Sequence, residues 1–171
     1  MDATHVHLAL THFPIIGTII GTLILAYGQF SKNDIIKKVA LVTFVSMAIL
    51  TIPVFLTGEG AEETVEKIAG VSESLMEEHE ELAEKAIWLM GLLGVLSAIG
   101  FYAIAVNWSF SKTITLVTLV VSLATCGVFA KVGNLGGQIR HSEIRAAGAD
   151  SASGSTSIQV ESGDEEEDDD D

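Results

Sequence analysis

Four long apolar blocks, set apart by short polar stretches, organise this 171-residue chain. The first covers residues 8–30 and is interrupted only by His12 and scattered threonines. The second covers 35–56, with Lys37 and Lys38 at its mouth and Pro53 near its exit. The third runs from about 83 to 106 and the fourth over 114–132. Crossing the hydrocarbon core of a bilayer takes about 20 mostly apolar residues at 1.5 Å rise each. Each block meets that requirement, and each is too long and too uniformly apolar for a buried helix of a small soluble domain. Helices are the form open to them, because isolated strands leave backbone groups unpaired in lipid. A β-barrel would need alternation over about 10 residues, which the blocks lack.

The pattern predicts an all-α, integral-membrane, up-down four-helix bundle over residues 1–147. The first two spans are joined by Ser31-Lys32-Asn33-Asp34 and the last two by residues 107–111, so chain neighbours are expected to run antiparallel. The middle connection, residues 57–82, is longer, and ten glutamates fall between its start and Glu84. The segment Ser74-Leu75-Met76-Glu77 has the form of a capping box, which predicts a helix start there. Small residues mark packing faces at Gly17-x-x-x-Gly21, at Gly91-x-x-Gly94 with Ala98, and at Thr118, Ser122 and Cys126.

Charge sets the expected orientation. Lys32, Lys37, Lys38 and Lys112 flank the two tight turns, whereas the opposite side is acidic over long segments. The positive-inside rule then puts both turns in the cytoplasm, with the N-terminus, the middle connection and the C-terminus outside an inner (plasma) membrane. Lys67, Lys85, Lys131, Arg140 and Arg145 lie on that outer side and narrow the margin. Residues 1–5 lack a basic n-region, so the first block is expected to be kept as a span and not removed as a leader.

The formal charge of −14 is concentrated at the C-terminus, where residues 150–171 hold ten acids and no base. The rest of the chain carries 13 acids against 9 bases. No basic stripe is available to neutralise phosphates, which excludes nucleic acid as a partner. Residues 148–171 are too polar to offset the entropy of ordering and are expected to form a disordered acidic tail, solvated or bound to cations or a basic protein. Cys126 is the only cysteine and makes no internal disulfide.

The candidate chemistry lies in the histidines. His5, His7, His12, His79 and His141 all fall at or just beyond one membrane face in the expected topology. Histidine is the commonest metal ligand, and helical bundles build cofactor sites from side chains converging out of several helices. His12, about one turn inside the first span, shares a helix face with His5, Leu8, Ile16 and Ile19. It is either a bundle-facing functional residue or an interfacial histidine bonded to a headgroup or carbonyl. His79 shares a face with Leu75, Leu82, Ala86 and Met90, while Glu77, Glu80, Glu81 and Glu84 spread over the other sides. Beyond the fourth span, Gly136-Gly137 permits a sharp turn that would fold His141 and Glu143 back over the bundle mouth. Arg140 and Arg145 suit an anionic group such as a porphyrin propionate, and Glu59 offers a carboxylate at the same level.

Several motifs are absent: Glu-x-x-His, His-Glu-x-x-His, a cysteine pair, Gly-x-Ser-x-Gly and a phosphate-binding glycine loop. What is present, Leu10-Thr11-His12-Phe13-Pro14 at the first of four spans and Gly136-Gly137 after the fourth, resembles a bacterial inner-membrane family of unknown function. Its members open with a His-Phe-Pro motif, and some accompany Rieske-type iron–sulfur proteins. Arg140-His141-Ser142-Glu143 departs from the family's ending. The resemblance implies the four-span fold and leans the function toward redox.

Three functions follow. The first is a haem b or transition-metal protein with a redox role, its ligands drawn from His12, His79, His141, Glu59 and Glu143, with Arg140 and Arg145 beside the cofactor. The second is a membrane anchor or assembly subunit that binds a redox or basic partner through its acidic outer face. The third, a transporter, is disfavoured because no charge sits deep in a span.

Overall fold

The computed structural model describes residues 3–65 and 72–140, and these form four α-helices. They are α1 (Ala3–Phe30), α2 (Asp34–Val65), α3 (Glu73–Ala105) and α4 (Ser111–Arg140). All four are long and apolar enough to cross a membrane. At 28 to 33 residues they exceed the spans expected from the apolar blocks. A 33-residue helix is about 50 Å long, against about 30 Å of hydrocarbon. The surplus lies at one end. There α2 continues past Thr57 through the glutamates to Val65, and the first turns of α3 carry Glu73 to Glu84. The apolar, spanning part of α3 begins at about residue 83, so His79 stands outside it.

The expected helix start near Ser74 is met to within two residues, and two details differ at this end. The middle connection is mostly helix, because Gly58 and Gly60 do not break α2. The capping box is displaced as well. Ser72 is the N-cap of α3, its carbonyl accepts from the N–H groups of Leu75 and Met76, and no side chain caps the helix. The Ser74 hydroxyl is instead engaged with Ser72 Oγ at 3.0 Å.

The opposite end carries the two tight turns, and they are built alike. Asn33 N–H donates to Gly28 O at 3.1 Å and Lys32 N–H to Gln29 O at 3.3 Å. At the second turn Trp108 N–H donates to Ala103 O at 2.8 Å and Asn107 N–H to Ile104 O at 3.3 Å. This is the Schellman arrangement, which needs one left-handed residue. Lys32 and Asn107 supply it, each with φ of 53°. Asn33 then starts α2, its Oδ1 accepting from the N–H groups of Ile35 and Ile36.

Each helix packs on its chain neighbours, and α4 closes the ring against α1; the diagonal pairs touch little. The α1–α2 seam is close because of Gly21, where a Cβ would lie 2.7 Å from the Phe44 ring. Gly94 does the same for α3 against α2, with a Cβ there 2.6 Å from that of Ala48. The expected Gly91-Gly94-Ala98 face is therefore only partly used. Gly91 meets nothing within 4 Å and Ala98 is exposed.

The bundle centre combines Leu25, Phe44, Met90, Leu93 and Phe129 with a line of hydroxyls. Thr18, Thr115, Thr118, Ser122 and Thr125 are fully buried, and each donates to a carbonyl of its own helix. Between helices, Gln29 Nε2 donates to Thr115 Oγ1 at 2.9 Å, and Thr22 Oγ1 lies 3.5 Å from Cys126 Sγ. The outward faces are apolar: Leu23, Ile35, Leu56, Trp88, Val120 and Leu123 are each more than half exposed. An apolar surface this extensive is stable in lipid and not in water.

Candidate functional site

The histidines of α1 divide between two faces. His12 lies on the exposed face, with Leu8, Ile16 and Ile19, and not toward the bundle centre. Its Nδ1 is 3.0 Å from Leu8 O. A carbonyl only accepts, so Nδ1 carries the proton and the lone pair of Nε2 is directed away from the bundle. His5 shares this exposed face. The shared phase of His5 and His12 is as expected; the side of the helix it marks is the outer one.

His7 takes the inward place. It precedes the buried Pro14 by seven residues and the buried Thr18 by eleven, on one helical stripe. Its Nδ1–H donates to Val54 O at 2.9 Å, which ties the start of α1 to α2 and leaves Nε2 with the free lone pair. The ring lies along Gly58, where a Cβ would stand 3.6 Å from His7 Cε1.

His79 comes from α3 on the inward face expected for it, one turn before Leu82 and two before Ala86. Its ring lies along Gly136 of α4, where a Cβ would be 3.3 Å from His79 Cε1. That contact accounts for the failure of the expected Gly136-Gly137 turn. The helix runs straight through both glycines to Arg140, because the bare backbone at 136 is what the imidazole packs against. Glycine inside a helix costs about 1 kcal/mol relative to alanine, a cost that close packing can offset. Lys131 Nζ to Glu78 Oε1 at 3.2 Å fastens the same two helices, one residue from His79 on α3 and five from Gly136 on α4, in an exposed pair worth little by itself.

His7 and His79 are near enough to feel each other's charge. Burial holds the His79 imidazole below the ordinary histidine range, the His7 charge lowers it further, and the Val132 backbone opposes both. His79 Nδ1 is buried and has no hydrogen-bond partner among the described residues, and Thr4 Oγ1, one turn before His7, is in the same condition. An unpaired buried polar atom costs about 1–3 kcal/mol. This end of the bundle thus gathers two imidazoles and a hydroxyl, of which His79 Nδ1 and Thr4 Oγ1 are unpaired among the described residues.

Of the residues singled out from the sequence, His79 stands in this cluster and His12 does not. Glu59 follows Gly58 in α2, and Arg140 is the last residue of α4. His141, Glu143 and Arg145 lie outside the described residues, as does the 148–171 tail. Among the described residues no three His, Cys, Asp or Glu side chains are grouped to hold a metal ion. His7 and Thr4 are what the sequence reading missed. The available signal was their phase with Pro14 and Thr18, not with the larger apolar residues.

No protein-family model, curated protein or solved structure matches the chain.

Proposed function

We propose that this is a multi-pass inner-membrane protein that binds haem b or a transition metal through His7 and His79 and serves a redox role. One observation carries the reading. Imidazoles from the diagonally placed α1 and α3 converge at one end, and a buried ring nitrogen of one of them is unpaired among the described residues.

The donor set suits the group. His7 is held in the manner of a ligating histidine, with Nδ1–H on a backbone carbonyl and Nε2 free. His7 and His79 would be the residues that hold a b-type haem. A bare ion needs further donors, for which Thr4 Oγ1, Glu59, His141 and Glu143 are the candidates, and Arg140 and Arg145 would face propionates. When bound, such a group supplies one-electron chemistry at the membrane surface. The protein's part is to disfavour the charged form of His79 by burial and to orient His7 through the Val54 carbonyl.

The deciding experiment is an optical spectrum with elemental analysis of the full chain purified from membranes. A Soret band lost in His7→Ala and His79→Ala establishes haem, and a stoichiometric metal lost in both establishes a bare ion. Wild-type protein free of both sinks the reading in favour of a membrane anchor that offers its acidic end to a basic partner.

A further inference from the structure

A groove of about 270 Å³ runs down the outer side of the bundle between α2 and α3, lined by Leu41, Val42, Val45, Ser46, Ala98 and Phe101. It is open toward the surroundings, and its walls are apolar apart from Ser46, whose hydroxyl donates to Val42 O. Lys38 stands at its upper end, toward the tight turns. On α2 it precedes Val42 by one turn and Val45 and Ser46 by two, so all lie on one stripe. The Lys38 ammonium sits 5.9 Å from the centroid of the Phe101 ring, which closes the top of the groove from the α3 side.

The lysines differ in charge pairing, and Lys32 and Lys112 at the same end, like Lys38, have no ion pair among the described residues. Lys37, Lys85 and Lys131 each face a carboxylate, at 2.9 to 3.2 Å. Lys38 has no ion pair among the described residues, and its charge rests on an aromatic face alone. From Lys38 to Ser46 the helix rises about 12 Å, close to the roughly 15 Å depth of one leaflet's hydrocarbon. A cation thus stands one turn above an apolar groove whose α2 wall, from Leu41 to Ser46, rises about 8 Å, roughly the upper half of a leaflet.

We infer that this groove is a binding site for an anionic phospholipid, with one acyl chain seated between α2 and α3 and the headgroup phosphate on Lys38. Charge complementarity selects the headgroup, since an unpaired ammonium at a membrane surface favours an anionic over a zwitterionic lipid by about fivefold. The groove selects the position, because it is where a chain can be seated directly beneath that charge. The site is far from the histidine cluster and does not depend on it.

The test is native mass spectrometry of the full chain in detergent, supplied with equal amounts of phosphatidylglycerol and phosphatidylcholine of the same chain length. Wild type should retain phosphatidylglycerol about fivefold over phosphatidylcholine. Lys38→Gln should bring the ratio near one. Ala98→Phe, at an exposed position where added bulk enters the groove and not the core, should lower total lipid retention. Lys112→Gln, an exposed lysine at the same end but off the groove, should behave as wild type. A wild-type ratio near one overturns the inference. So does an unchanged result in either Lys38→Gln or Ala98→Phe, or an equal loss in Lys112→Gln.

Discussion

His7 of α1 and His79 of α3 sit within electrostatic reach of each other, although their helices stand diagonally in the bundle and touch little elsewhere. Each ring lies along a glycine of a neighbouring helix, Gly58 of α2 and Gly136 of α4. All four helices therefore contribute to one small polar cluster at the acidic end.

That arrangement ranks the histidines. His7→Ala and His79→Ala should each abolish haem or metal content, measured by absorbance and elemental analysis, while His12→Ala should leave it within about twofold of wild type. His12 points outward, so it has no route to the cluster. Loss of the cofactor in His12→Ala alone would place the site on the outer face of α1 instead.

The buried imidazole should make stability depend on pH in a defined direction. His79 has its protonation held below the ordinary histidine value of about 6.5, so the unfolded chain binds the proton more readily than the folded one. The stabilisation is fully present above about pH 6.5 and is lost as pH falls toward the lowered His79 value. Comparing thermal unfolding in detergent between wild type and His79→Leu isolates this contribution from His7 and the nearby glutamates. The wild type should lose more stability than the variant between pH 7 and 5, and parallel curves would rule it out.

Gly94 and Gly91 make a matched pair on α3. A Cβ at Gly94 would lie 2.6 Å from that of Ala48, and neither side has a flexible end that can move away. Gly94→Ala should cost about 1–3 kcal/mol through overpacking of the α2–α3 seam. Gly91 has open space around it, so Gly91→Ala should be neutral or gain up to about 1 kcal/mol in helix propensity. Melting curves of both variants in the same detergent check this, and equal destabilisation would contradict the packing.

The lysine distribution predicts which end faces the cytoplasm. On a Cys126→Ser background, a cysteine placed at Glu66 should react with an impermeant reagent from outside intact cells. One placed at Asn33 should react only after permeabilisation. The reverse pattern would put the histidine cluster in the cytoplasm and change the class of redox partner it meets.

Much of this molecule is legible in one dimension. Helix existence and number follow from runs of apolar residues, because a chain in lipid satisfies its backbone within each helix and needs no distant partner to do so. The inward phase of His79 is legible for a related reason: glutamates occupy the other sides of the same turns, so one helix carries its own contrast of inside and outside. α1 carries no such contrast. Lipid accepts Leu8, Ile16 and Ile19 as readily as a bundle core does, so an apolar face marks neither side, and His12 read as well inward as outward. Only the packing of α2 against Gly17 and Gly21 and of α4 against Thr22 settled that His7, on the face with Pro14 and Thr18, points in. Gly136 shows the same limit. Two consecutive glycines end a helix by local propensity, and they remain helical here because an imidazole 57 residues earlier in the chain, His79, packs on the surface they leave bare.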